Sequence, residues 1–376
     1  MANFVPTRII SADSHINEPP HVFDGVPAAF KDRAPKMLPG ADGGDGWSFD
    51  GKPPGRTFGV EATAGRAIGD RKMAGLRFDE ILPGNYEGAA HVEDMRKDHV
   101  EVSIVYPAYA AHCYAESDRE LSLACLRSYN DWMLQEFQAA APENILGLPM
   151  LPVDDGMEIC VAEFERCLKT GAKAGFLPGI PTRPYHDTYY DPLFARASEA
   201  GFPLTFHRTF GGKPIASDWD ELVGMKITAA GTVDRFFSSV RPFSYMVYGG
   251  VFEKHPGLRI VAAEVNFGWL PFWVQTMEQN FTVRSTLGDR TVSTTKRPTD
   301  YMGENLFVTI LDDKVGFDLV ESYPWLADTA LWSSDYPHSV SAWPNSQEIL
   351  TDLGSAITKE QLEKIAHGNA ARIYGV

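Results

Sequence analysis

Short apolar runs alternate with amphipathic segments along most of the chain. Apolar residues fill consecutive positions in these runs, as is typical of parallel strands covered on both faces. We predict eight strands, at residues 9–15, 102–106, 145–151, 174–177, 203–206, 258–263, 306–310 and 330–332. Apolar residues at helical spacing, such as Leu121, Cys125 and Tyr129, predict helices between the strands. These helices cover residues 91–99, 118 to about 142, 156–170, 192–200, 268–281, 315–323 and 359–373.

Eight strands that alternate with helices predict a (β/α)8 TIM barrel. The competing architecture is a doubly wound open sheet. No Gly-x-Gly-x-x-Gly follows the first strand, which disfavours the open sheet and a dinucleotide cofactor. We therefore expect one domain over residues 1–376. A Gly- and Pro-rich segment at about 19–90 is expected to form an insert or lid over the site.

Polar residues that suit metal binding stand at the predicted strand ends. Asp13 and His15 lie two apart on the first strand, so their side chains point to the same face. His207 follows the fifth strand, and Asp335 follows the eighth. Because chemistry in such barrels collects at the carboxyl ends of the strands, we expect these four residues to bind one divalent ion.

Composition narrows the class of partner. The chain has 376 residues, of which 44% are hydrophobic and 22% charged, values typical of a globular protein. A formal net charge of −16 argues against nucleic acid and anionic membranes as partners and favours a small-molecule substrate.

The cysteine content and the absence of targeting patterns in the sequence are typical of a cytoplasmic protein. The four cysteines form no Cys-x-x-Cys pair and are expected to be buried thiols in a reducing compartment. The amino terminus lacks the pattern of a signal peptide, and no apolar run approaches a membrane span. We therefore expect a cytoplasmic location.

Four motifs resemble the amidohydrolase-related family of the amidohydrolase superfamily, which includes aminocarboxymuconate-semialdehyde decarboxylase and aromatic-acid decarboxylases. They are Ser-Ala-Asp-Ser-His-Ile-Asn-Glu-Pro at 11–19, Ala-Gly-Phe-Pro-Leu-Thr-Phe-His at 200–207, Trp-Ser-Ser-Asp-Tyr-Pro-His at 332–338 and His-Gly-Asn-Ala-Ala-Arg-Ile-Tyr-Gly at 367–375. The resemblance implies a metal-dependent hydrolase or decarboxylase for a small carboxylated or cyclic substrate. It also implies zinc or manganese at Asp13, His15, His207 and Asp335, and it suggests a homodimer.

Two positions depart from the pattern of this family. The first motif is Asp-x-His where many members have His-x-His or Glu-x-His. The sixth strand is followed by Glu264, where the family often has a catalytic or second-metal histidine. We expect Asp335, Glu264 and His338 to be catalytic, with Glu264 or His338 moving the proton. A buried carboxylate paired with an arginine is the alternative for Glu264.

Three arginines are candidate ligands of the substrate. Arg208, Arg66 and Arg71 could each bind a substrate carboxylate or phosphate.

Two other functions are possible for the same barrel. Glu264 and His338, with Glu18 or His112, could add to the four metal positions and complete a site for two iron ions, as in a non-haem di-iron monooxygenase. A non-catalytic binding barrel is the third reading.

Overall fold

Parallel strands form the centre of the structure. The computed structural model describes residues 4–49, 51–208, 210–212 and 228–376. In this part of the chain the strands are β1 (Ile10–His15), β2 (Lys36–Pro39), β3 (Asp45–Ser48), β4 (Val102–Tyr106), β5 (Ile145–Gly147), β6 (Gly175–Leu177), β7 (Leu204–His207), β8 (Ile260–Ala263), β9 (Leu306–Ile310) and β10 (Ala330–Trp332). One parallel sheet has the order β1-β4-β5, and a second has the order β10-β9-β8-β7-β6. The remaining pair, β2 and β3, is antiparallel.

Helices follow most of the parallel strands. Within the described ranges they are α1 (Gly88–Lys97), α2 (Arg119–Trp132), α3 (Met157–Lys169), α4 (Asp191–Ala200), α5 (Thr228–Arg235), α6 (Val240–Tyr248), α7 (Val251–Lys254), α8 (Leu270–Thr286), α9 (Lys314–Leu319), α10 (Leu326–Thr329), α11 (Ser346–Leu353), α12 (Lys359–Glu363) and α13 (Asn369–Tyr374). Asp118 caps α2 by accepting the backbone N–H groups of Glu120 and Leu121, which satisfies donors left free at a helix start. The predicted alternation of strands and helices is confirmed.

Hydrogen bonds also connect the edges of the two parallel sheets. Beyond β5, the N–H of Leu151 donates to the carbonyl of Phe176 at 3.0 Å. At the other edge, the N–H of Asp335 donates to the carbonyl of Asp13 at 3.0 Å, and that of His15 donates to Tyr336 at 2.6 Å. The carboxyl ends of β1 and β10 therefore lie side by side.

The segment at about 19–90, called the insert after the sequence prediction, contains a hairpin that the sequence did not predict. Strands β2 and β3 pair in register from Lys36 with Ser48 to Pro39 with Asp45. The side chains of Trp47, Phe58 and Leu76 are buried in the main core, so the insert packs against the rest of the molecule. Its segment at 60–64 exchanges backbone hydrogen bonds with the loop after β10, between Val60 and Ser339 and between Ala64 and Pro337.

Other differences concern helices. The predicted irregular segment at 209–257 contains α5, α6 and α7, while residues 209 and 213–227 lie outside the described ranges. Helices α10 and α11 were also not predicted. None of the helices in the described ranges is long and apolar enough to cross a membrane.

Candidate metal centre

Side chains from the ends of β1, β7 and β10 converge on one buried point. The Nε2 atom of His15 lies 3.4 Å from Asp13 Oδ1 and 3.3 Å from Asp335 Oδ1. The Nε2 atom of His207 lies 3.7 Å from Asp13 Oδ2. All four side chains are buried. The structure therefore brings together the four residues that the strand ends suggested.

The facing atoms of this cluster form no hydrogen bonds with other described residues. Among the residues that the structure describes, no hydrogen-bond partner is found for Asp13 Oδ1, His15 Nε2, Asp335 Oδ1 or either ring nitrogen of His207. Buried polar atoms are rarely left unpaired, because each loses its bonds to water. Carboxylate oxygens and imidazole nitrogens are also the ligands that zinc, manganese and iron accept. The residues present therefore fit a divalent cation.

His338 extends the cluster on the side of Asp335. Its Nδ1 atom lies 3.2 Å from Asp335 Oδ2 in hydrogen-bond geometry, and its ring stacks on that of His15 at a centroid distance of 4.1 Å. Two sets of possible ligands result, Asp13 with His15 and His207, and His15 with Asp335 and His338. In each set the ligand atoms lie within 4.8 Å of one another.

Glu264 lies at the opposite edge, beside His207. Its Oε2 atom is 3.3 Å from His207 Nε2, while its Oε1 atom forms an ion pair with Arg208. The Nε of Arg208 also donates to the backbone carbonyl of Glu264 at 2.7 Å. Arg208 and Glu264 both have left-handed backbone angles, with φ of +43° and +56°. One carboxylate oxygen is thus held by arginine, and the other faces the centre.

Burial controls the charge of the two central histidines. It lowers the pKa of His15 to about 4, and the positive charge of His338 acts in the same direction. Burial lowers the pKa of His207 well below its ordinary value, and the neighbouring His15 ring and Arg208 guanidinium act in the same direction. Both imidazoles are therefore neutral near pH 7, which is the form that binds metal.

The carboxyl groups differ from one another. Burial raises the pKa of Asp13 well above its ordinary value, helped by the charges of Asp335 and Glu264. Burial also raises the pKa of Glu264 to about 8, with Asp335 adding to the shift and Arg208 opposing it. Burial opposes ionisation of Asp335, but its contacts with His338 and His15 outweigh this and lower its pKa. Burial opposes protonation of His338, yet Asp335 raises its pKa. The Asp335–His338 pair therefore carries opposite charges.

Arg66 and Arg71, the two candidate substrate ligands in the insert, contact backbone rather than the centre. The Nη2 of Arg66 donates to the carbonyl of Glu80 at 2.7 Å. Arg71 donates to the carbonyls of Arg66 and Ser339, and so ties the insert to the loop after His338. Their roles as substrate ligands stay predictions.

Two of the residues suggested for a di-iron site have other surroundings. Both oxygens of Glu18 accept backbone N–H groups, from Ala108 at 2.9 Å, Tyr109 at 2.9 Å and Ala110 at 3.0 Å. Glu18 thereby fixes the loop after β4. The ring of His112 is exposed and contacts three half-buried rings, those of Phe49, Tyr109 and Phe210.

The sequence interpretation missed two polar residues near the site. Glu61, from the insert, is buried and accepts hydrogen bonds from Arg56 and from the hydroxyl of Tyr109. Thr309, at the fourth position of β9, contacts Asp13 through its hydroxyl. Thr309 could have been identified from sequence, because it is the only polar residue in an apolar strand and stands near the strand's carboxyl end. Glu61 could not, because it lies in an irregular segment without a hydrophobic pattern.

Known proteins that are similar to this chain include amidohydrolases and decarboxylases. Residues 84–376 match the family model described as amidohydrolase. The 2-amino-3-carboxymuconate-6-semialdehyde decarboxylase of Dictyostelium discoideum is 22% identical over 308 residues, which cover 80% of each chain. A solved amidohydrolase from Mycobacterium avium subsp. paratuberculosis K-10 superimposes with a TM-score of 0.77 at 19% identity, over 98% of both chains. A dihydroxybenzoic acid decarboxylase from Polaromonas sp. JS666, solved with manganese and the inhibitor 2-nitroresorcinol, gives 0.64 at 18% identity, over 98% of this chain and 97% of that one.

Proposed function

Because the chain belongs to the amidohydrolase family, we propose that it is a metal-dependent enzyme that decarboxylates a small carboxylated aromatic acid. The observation that carries this proposal is the buried cluster of unpaired carboxylate and imidazole atoms at the strand ends. The decarboxylases among the similar proteins favour loss of carbon dioxide over hydrolysis of an amide or lactone.

Four residues would hold the metal in this proposal. They are Asp13, His15, His207 and Asp335, whose free atoms face one another. A divalent cation held by these residues would supply positive charge for the substrate carboxylate. The manganese in the decarboxylase from Polaromonas supports manganese as the ion, with zinc as the second choice.

Glu264 is the residue we assign to proton transfer. Loss of carbon dioxide leaves the bonding electron pair on the ring carbon, and a proton must then join that carbon. The Oε2 atom of Glu264 faces the centre, while its Oε1 atom is held by Arg208. Arg208 therefore orients the proton carrier. His338, which is hydrogen-bonded to Asp335, is the other candidate for this step.

The proposal includes a closed (β/α)8 barrel with the insert as a lid. Hydrogen bonds at both sheet edges, between Leu151 and Phe176 and between Asp335 and Asp13, support closure. The bonds of segment 60–64 to the loop that carries His338 support an insert that lies near the mouth.

Carbon dioxide release tests the proposed reaction. Protein loaded with Mn²⁺ is incubated with hydroxylated benzoic acids labelled with ¹³C in the carboxyl group, and in parallel with aryl amides and lactones. We expect one labelled carbon dioxide for each acid consumed and, in D₂O, one deuterium on the product ring. Asp335→Asn serves as the inactive control. Turnover of amides or lactones alone would contradict decarboxylation.

A second function is favoured by one observation. The two ligand sets share His15 and each contain one carboxylate, Asp13 or Asp335, and the Glu264 carboxylate lies beside His207. Such a mixture of carboxylates and imidazoles also suits a non-haem di-iron monooxygenase, in which two irons would supply oxygen chemistry. About two irons per chain, with oxygen-dependent turnover, would favour this alternative.

A further inference from the structure

One hydroxyl group, that of Thr309, contacts both the proposed metal ligand Asp13 and the proposed proton carrier Glu264. Thr309 lies on β9 between β8 and β10, and its side chain is fully buried. Its Oγ1 atom donates to Asp13 Oδ2 at 3.0 Å and accepts the backbone N–H of Glu264 at 2.7 Å. One side chain therefore joins a proposed metal ligand from β1 to the proposed proton carrier after β8.

The direction of these two bonds is fixed by chemistry. A backbone N–H can only donate, so the bond from Glu264 uses Thr309 Oγ1 as an acceptor. The single hydroxyl proton is then free to point at Asp13 Oδ2. This oxygen accepts the hydrogen bond from the hydroxyl, whereas Asp13 Oδ1 has no partner among the described residues and faces His15. Thr309 thus fixes how the Asp13 carboxylate is turned toward the proposed cation site.

Thr309 also holds the turn that presents Glu264. Glu264 and Asn266 both have φ of +56°, a left-handed angle that costs free energy in residues with a side chain. The backbone carbonyl of Thr309 accepts the N–H of Asn266 at 3.2 Å, and its hydroxyl accepts that of Glu264. The two contacts fix the backbone on either side of Val265 and so fix where the Glu264 side chain begins.

We propose that Thr309 is a positioning residue of this centre, which orients Asp13 for the cation and Glu264 for the substrate. The inference rests on the proposed metal-dependent function. Hydrogen bonds to the ligands of a metal restrict their orientation, and their loss typically weakens metal binding or activity about 10–100-fold. Thr309→Val keeps the shape of the side chain and removes the hydroxyl, whereas Thr309→Ser keeps the hydroxyl.

The test measures Mn²⁺ affinity by calorimetry on metal-free protein. We expect Thr309→Val to weaken Mn²⁺ binding about 10–100-fold, and Thr309→Ser to stay within about threefold of wild type. Thr329→Val is the matched control, because Thr329, the last residue of α10, is equally buried and donates to the carbonyl of Trp325. Its Mn²⁺ affinity should be unchanged.

Several outcomes would overturn the inference. Equal affinity in Thr309→Val and wild type would remove the role of the hydroxyl. Equal weakening in the Val and Ser variants would assign the effect to packing instead. If Thr309→Val does not fold, Thr309→Ala is measured in its place, with the melting temperature of the metal-free protein as the check on folding. Wild-type protein that binds no Mn²⁺ would overturn the proposed function as well, whereas wild-type binding with an unaffected valine variant would overturn this inference alone.

Discussion

Glu264 is the residue on which the proposed chemistry depends most. It stands at a position where the family that the sequence motifs resemble often has histidine. In the structure it lies between Arg208 and His207. Sequence alone left proton transfer, metal binding and an arginine-paired carboxylate open for it. The structure places an arginine on one oxygen and leaves the other facing the centre, so the pairing with Arg208 and a catalytic role are compatible.

A charge-removing substitution separates the two active roles. We expect Glu264→Gln to retain about one metal per chain and to lose roughly 10²–10⁴-fold in turnover, because the amide cannot carry the proton. Metal analysis and turnover are measured on the same sample. Glu304→Gln, an exposed change before β9, is the control. A fall from about two metals to about one would instead make Glu264 a ligand of a second ion, and unchanged metal content and turnover would exclude both roles.

The parallel strands could be predicted closely from sequence. Strands β4, β9 and β10 have the predicted bounds, because apolar residues at consecutive positions are buried on both faces of a covered sheet. Once the strands are placed, parallel order brings their carboxyl ends together, and this accounts for the convergence of His15, His207 and Asp335.

Contacts between distant segments could not be predicted in the same way. The hairpin of β2 and β3 is short and lies in a Gly- and Pro-rich segment, so no periodicity marks it. Glu18 was considered as an iron ligand, but its partners are three backbone N–H groups after β4. Hydrogen bonds to backbone groups cannot be predicted from the pattern of side chains. The bond from Thr309 to Asp13 spans most of the chain, and only the fold reveals it.

Asp98 connects two helices and gives the fold a measurable dependence on pH. It follows α1, is buried, and accepts the N–H and the hydroxyl of Ser346 at the start of α11, at 2.7 and 2.6 Å. Burial raises its pKa to about 6, although the bonds from Ser346 oppose the shift. The folded protein therefore holds this proton at a pH where the unfolded chain has released it.

The sign of the effect follows from proton linkage. Between about pH 4 and 6 the folded state binds more protons at Asp98, so the free energy of unfolding should fall as pH rises, by about 2 kcal/mol from this group over that interval. Asp98→Asn cannot titrate and should lose that part of the slope. Urea unfolding of both proteins at pH 4, 5 and 6.5 gives the difference. Parallel curves for the two proteins would contradict the assignment.

One part of the insert is hydrogen-bonded to the rest of the molecule, and another part is exposed to solvent. Segment 60–64 is hydrogen-bonded to the loop that carries His338. A few residues further on, the side chains of Ile68 and Met73 are 84% and 73% exposed. Exposed, weakly packed loops are the usual sites of proteolysis, and this one continues directly from a segment at the proposed mouth.

Limited proteolysis tests whether the insert acts as a lid. We expect the first cuts between about Gly40 and Gly75, with trypsin acting after Arg71 or Lys72, and slower cutting in the presence of a competitive inhibitor. Cutting after Arg290, in the loop that follows α8, is the internal control and should not change rate. Equal rates in the insert with and without bound inhibitor would count against a lid.

The measurement that tests the whole account most directly is the metal content of reconstituted protein. Wild type, His207→Ala and Asp335→Ala are stripped of metal, exposed to Mn²⁺, desalted and analysed for metal and protein. His21→Ala is the control, because His21 is half exposed and pairs with Glu136 at the surface. We predict about one Mn²⁺ per chain in wild type and His21→Ala, and little in the other two, since each loses a proposed ligand. Full occupancy in His207→Ala and Asp335→Ala, or none in wild type, would contradict a metal centre at these strand ends.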